Sequence, residues 1–215
     1  MALLTEEEIE LFYNNTLTQQ ERDAIDTALN AEAAPWKHDQ FDKGTKEALS
    51  SVKTKIKEFH LYKVANKCCY CRRSLLDASI ESDREHIVPK GQVEILSYDL
   101  FNLSIACKRC NMTYKGEKLD HIIDFPNIRA KLKNSNNYKI PHPNLDNYED
   151  HLIRLSCQIG AQEFTTYSTQ TDKGRFLYDF VQLHNLCINE FDKAQGGNPA
   201  SEILSNAFDI PIEGA

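Results

Sequence analysis

No stretch of this 215-residue chain approaches the roughly 20 apolar residues needed to cross a bilayer, so a membrane-spanning helix is not expected. No apolar run follows Met1 to act as a secretory signal, and the expected setting is a reducing cytoplasm, where cysteines stay thiols or bind metal. No internal repeat is visible. Excess positive charge is also missing: 25 Lys and Arg stand against 32 Asp and Glu, for a formal net charge of −7. That balance is unusual for a protein that binds nucleic acid on its own, because such binding is driven largely by Lys and Arg releasing counterions from phosphates. The charge is uneven. Residues 67–118 hold nine Lys or Arg and seven Asp or Glu, about +2, which leaves about −9 for the rest.

The seven cysteines carry the clearest pattern. Cys68-x-x-Cys71 and Cys107-x-x-Cys110 are two turns that each present a pair of thiolates, and together they complete a four-sulfur tetrahedral zinc site. Residues 72–106 between them exceed what a simple zinc finger uses, so the ion is expected to tie the base of an inserted unit with strands of its own. Cys69 lies between ligands and reads as packing. Cys157, in an alternating Ile153-x-Leu155-x-Cys157-x-Ile159 run, is expected on the buried side of a strand. Cys187 is expected on a buried helical stripe with Phe176, Phe180, Leu183 and Phe191. His60 is placed at a helix C-terminus, favourable by dipole; His38, His121, His142, His151 and His184 read as surface or packing.

Within the clamp the chain reads Asp83-Arg84-Glu85-His86-Ile87-Val88-Pro89, then Phe101-Asn102-Leu103, then Cys110-Asn111 and Lys115-Gly116. Phosphodiester hydrolysis needs a deprotonated water and a cation to offset charge in the transition state. His86 suits the first task, since an ordinary imidazole is largely neutral at physiological pH and can accept a proton. Glu85 and Asn111 suit the second, as oxygen ligands for a hard ion such as Mg²⁺ or Mn²⁺. Asn111 is also expected to open a short helix.

These residues, in this order and spacing, resemble the HNH endonuclease family, whose ββα-metal motif runs through an acidic residue and His, a central Asn and a closing His or Asn. The resemblance covers about residues 67–118, with Glu85 where many members carry Asp and Lys115 one position later than usual. It implies Asn102 bonded to the loop backbone, holding the catalytic His86 in place, and Lys115 as a phosphate contact. The other candidate phosphate contacts in the unit are Arg72, Arg73, Lys90, Lys108, Arg109 and Lys118, with Lys90 and Arg109 foremost. A stand-alone acidic HNH protein with long flanks also looks like the nuclease subunit of Septu-type bacterial anti-phage systems, which pairs with an ATPase. The expected substrate is DNA, with RNA left open.

Around this unit, Thr5-x-x-Glu8 and Thr18-x-x-Glu21 are capping boxes that start helices, and Pro35 stops the Ile25, Ala28, Leu29 stripe. A third helix is expected from about Thr45, with Leu49, Val52, Ile56 and Phe59 on one face and Lys53, Lys55 and Lys57 turned to solvent or nucleic acid. A strand near 152–159 and a helix from about Asp172 to Phe191 follow an Asn- and Pro-rich connection at 134–148. The expected architecture is α+β: a helical region at 1–66, a zinc-stapled ββα-metal core at 67–133, a strand and helix region at 134–193, and a tail at 194–215 whose Ile203, Leu204 and Phe208 are available to a partner. The other reading is a zinc-bound module that binds nucleic acid or protein without hydrolysis. A sequence-specific homing or restriction enzyme would need a recognition region that the flanks do not display.

Overall fold

The computed structural model describes residues 3–76, 80–159 and 162–189. Phe191, the tail from 194 and its three apolar residues lie outside them. The fold mixes helices with two small antiparallel sheets. Both capping boxes form: at α1 (Glu6–Leu11) the Glu8 amide donates to Thr5 Oγ1 at 3.2 Å, and at α2 (Gln19–Leu29) the Glu21 amide donates to Thr18 Oγ1 at 3.2 Å. The third helix, α3 (Lys43–Lys63), starts two residues before Thr45 because Asp42 caps it, accepting from the Gly44 and Thr45 amides at 2.9 and 3.1 Å.

Its stripe of Leu49, Val52 and Ile56 is buried as the periodicity requires, and α3 packs on the first sheet. The lysines of α3 do not all face solvent. Lys53 is buried, while Lys55 pairs with Glu21 at 2.7 Å and Lys57 donates to the Ser82 carbonyl at 3.2 Å. His60 does not serve as an exposed dipole partner either. It is fully buried with both ring nitrogens unpartnered, and burial pushes its pKa down to about 3, so it packs as a neutral ring.

After α3 the chain leaves through left-handed Ala65 and Asn66 (φ 52° and 53°) into the first cysteine turn. Strands β1 (Ser82–His86) and β2 (Leu103–Cys107) pair antiparallel, with Ser82 opposite Cys107 and His86 opposite Leu103. All five residues of β2 are buried, since helix and cysteine turns cover the hairpin. A wide helical turn at Arg109–Lys115 follows, closed by the Gly116 amide on the Asn111 carbonyl at 2.7 Å. Asn111 is the third residue of that turn and not its cap, because the helical backbone already begins at Lys108.

A short α4 (Ile128–Lys131) leads to the second sheet, where β3 (Leu152–Ile159) pairs with β4 (Gln162–Thr169) along its whole length. The sequence reading had no strand at β4, although its Phe, Thr and Tyr content is that of a strand. Helix α5 (Asp172–Phe180) packs on β4 and comes so close to the His151 backbone that a Cβ on Gly174 would lie 1.9 Å from its carbonyl oxygen. The helix is shorter than expected. Left-handed Gln182 (φ 49°) turns the chain, and β5 (Ile188–Asn189) joins the edge of β4, so Cys187 is exposed rather than on a buried stripe. Cys157 is half-buried.

Among the described residues one hydrophobic cluster runs from Leu4 to Leu183. Polar ties reinforce it at the cysteine turns, where Tyr148 and Tyr167 hydroxyls donate to the Tyr70 and Cys71 carbonyls, each at 2.8 Å. Among the described residues no helix is long and apolar enough to cross a membrane.

Candidate metal centre and adjoining cleft

Cys68, Cys71, Cys107 and Cys110 come together, all buried, with their sulfurs within 4.8 Å of one another. Four thiolates about 2.3 Å from a tetrahedral zinc lie about 3.8 Å apart, and the Cys71 and Cys107 sulfurs are 3.8 Å apart. The Cys107 amide points at the Cys68 sulfur from 3.3 Å. These residues therefore fit one ion, and the donor type suits structural zinc. Cys69, between the first pair, is buried outside the cluster, its amide on the Ile105 carbonyl at 2.9 Å.

Beside the cluster lies a cleft of about 550 Å³ lined by Glu85, His86, Asn111, Lys90, Lys108 and Lys115, with Trp36 and Arg84 at one end. His86 ends β1 and is 5 % exposed. Its Nε2 is 3.0 Å from the Ser97 carbonyl oxygen, which only accepts, so Nε2 carries the proton and Nδ1 is the bare acceptor. Among the described residues Nδ1 has no hydrogen-bond partner, and it is not among the buried, unpartnered atoms. Burial holds the ring neutral, its pKa pushed down to about 3, and it stands perpendicular to the Trp36 ring in a T-shaped pair with centroids 4.4 Å apart.

Asn102 fixes the loop on either side of that imidazole. Its Oδ1 accepts from the Val88 amide at 2.8 Å, and its Nδ2 donates to the Val88 and Leu96 carbonyls at 3.0 and 3.2 Å. These bonds join the residues after His86 to the residue before Ser97. His121, buried as packing, donates from Nε2 to the Ile87 carbonyl at 2.8 Å on the other side.

Glu85 lies on the opposite face of β1 from His86 by strand alternation, and it is fully buried. Its Oε1 accepts from the Tyr70 hydroxyl at 2.9 Å and meets the Lys115 ammonium at 2.8 Å, while Oε2 is buried with no partner. Burial pushes the carboxyl above its ordinary range, against the pull of Lys115 and Tyr70. Asn111 is half-buried on the wall of the same cleft. An orphaned carboxylate oxygen and an amide are the hard donors that Mg²⁺ or Mn²⁺ takes, so the set fits such an ion in kind.

Of the three foremost phosphate contacts, Lys90 lines the cleft without a carboxylate partner among the described residues. Lys115 is 2 % exposed; its ammonium is committed to Glu85 and to the His86 carbonyl, so it ties the helical turn to the strand end. Arg109 points elsewhere, stacking on Tyr114 at 4.3 Å and donating to the Gln182 carbonyl at 2.7 Å. Arg72 is likewise engaged, over the Tyr148 ring and 3.4 Å from Glu149. Sequence reasoning passed over Tyr70, Ser97 and Trp36. Tyr70 had a signal, its place inside the cysteine turn; the other two act through folds in the chain that no spacing reveals.

No protein-family model matches this chain, and no curated protein or solved structure matches it.

Proposed function

We propose that the protein is a metal-dependent endonuclease of the HNH kind that hydrolyses DNA phosphodiester bonds. The observation that carries this reading is His86: a neutral imidazole with its Nε2 proton committed to Ser97 and its Nδ1 lone pair free, in a cleft that Glu85 and Asn111 also line. Nδ1 takes the proton of the attacking water as its oxygen bonds to phosphorus and the bond to the leaving oxygen breaks. Asn102 and Ser97 keep the ring aimed, and Lys90 attracts the phosphate. A divalent ion held by Glu85 and Asn111 would supply positive charge to the phosphate oxygens in the transition state. The four cysteines hold zinc and give the hairpin a fixed base.

The test is plasmid nicking with Mg²⁺ or Mn²⁺. His86→Ala is expected to lower the rate by about 10²–10⁴ while keeping its zinc and its circular dichroism. Undiminished nicking by that variant would falsify the mechanism. A second reading, a zinc-bound module that binds without hydrolysis, draws support from Lys115, which already neutralises Glu85; absence of nicking by the native chain decides for it. The acidic remainder of the chain, about −9, supports a partner that supplies binding surface, and an ATPase of an anti-phage system is the candidate. Recovery of no such protein on purification from the native cell counts against that pairing.

A further inference from the structure

At the Trp36 end the cleft continues into a second groove of about 560 Å³, lined by Trp36, Lys37, His38, Gln40, Lys53 and Arg84 with the exposed Asp39 at its edge. Two of the cations that line it have no carboxylate within ion-pair distance among the described residues, Asp83 and Asp39 acting on them only from further away. Lys53 is 5 % exposed, with its ammonium 2.6 Å from the Trp36 carbonyl, 2.7 Å from His38 Nδ1 and 4.6 Å from the centre of the Trp36 ring. Arg84 is half-buried and, among the described residues, donates to the Lys53 carbonyl at 3.3 Å. No carboxylate pairs with either among the described residues, and Asp39 is taken by Lys46 at 2.6 Å. Burial and the charge of Arg84 lower the Lys53 pKa to about 8. Two desolvated like charges beside neutral acceptors are costly unless an anion joins them.

The strand sets the distance. Arg84 and His86 lie two residues apart on one face of β1, so their backbone positions are about 7 Å apart along the strand, a spacing close to one nucleotide step of a phosphodiester backbone. Trp36 touches both ends, its ring against His86 and its carbonyl on Lys53.

We propose that this groove is a second anion site, formed by Lys53 and Arg84, that takes the phosphate next to the one cleaved on the same DNA strand. It rests on the nuclease reading and adds the path of the substrate: the strand runs from His86 over Trp36 toward α3. Lys53, which the sequence leaves facing either solvent or nucleic acid, thereby acquires a role.

The experiment measures binding of a short DNA duplex by the zinc-loaded full chain without added Mg²⁺, across a salt range of about 50–200 mM, for the native protein, Arg84→Gln, Lys53→Met and their combination. The combined substitution is expected to flatten the slope of log affinity against log salt by about 0.9, the share of one phosphate, each single substitution by about half of that, and Arg84→Lys to keep the native slope. Lys43→Gln, on exposed helix surface, should leave the slope unchanged. If the combined variant loses zinc, Arg84→Gln alone is read, with half the expected change. A native chain that nicks plasmid while Arg84→Gln keeps the native slope overturns the second site alone. A native chain that neither binds nor nicks overturns the nuclease reading and this site together.

Discussion

The hairpin between the cysteine turns and the C-terminal sheet solve the same problem differently. The C-terminal sheet has eight-residue strands paired over their full length and a helix on one face, the ordinary means of stabilising a sheet. The hairpin has two five-residue strands, too little for independent stability. It also carries more unmet polar groups: Glu85 Oε2, Ser97 Oγ and Ser104 Oγ are buried without partners, whereas in the described C-terminal strands only Arg154 Nε is. Such groups cost stability and persist where something else fixes the structure. Here that is the four-sulfur centre, together with tyrosine hydroxyls from the C-terminal part. The lesson is that the unit bearing the candidate chemistry is the one least able to hold itself together.

The strongest way to break this contrast is to remove the metal. Chelation, or Cys107→Ser, should abolish hydrogen-exchange protection at the Cys69 and Ile87 amides before β3 and β4 open, since structural zinc is worth on the order of 10 kcal/mol in small modules. Simultaneous loss of protection in both sheets would show that the difference is not real. Asn102→Ala comes next. It removes three buried hydrogen bonds from the loop around His86 and should lower unfolding free energy by about 3 kcal/mol, read from urea midpoints; a change within error would mean the loop is held by other contacts.

The finest comparison sets two tyrosines side by side. Tyr70→Phe takes a donor from the buried Glu85 carboxylate and should cost about 2 kcal/mol, whereas Tyr167→Phe takes one from the Cys71 carbonyl and should cost about 1 kcal/mol. Equal losses would mean that Lys115 alone satisfies Glu85. Only the first variant should also slow any nicking, because only Tyr70 reaches a group of the cleft.

Much of this was readable in residue order where the physics is local. Thr5 and Glu8, or Thr18 and Glu21, are three positions apart and cap their helices regardless of the remaining fold. Cysteine turns converge because metal chemistry asks for four sulfurs. Asn102 bonding the loop came from the family resemblance, and the bonds are present. Reading failed where burial decides. Lys115 and Lys53 look like surface cations in the sequence, yet both are buried by elements distant in the chain. Cys187 fell off its stripe because Gln182 turns left-handed and lets β5 reach the sheet.

By itself, then, the chain's order determined the four cysteines that can hold one ion and the capped helices, since each depends on residue type and short spacing. Only the tertiary structure decided that Glu85 meets Tyr70 and Lys115, that His86 Nε2 donates a hydrogen bond to the Ser97 carbonyl, and that Trp36 joins two basic grooves. Those are contacts between distant segments, and they form because packing one hydrophobic cluster brings α3, the hairpin and the helical turn into reach of each other.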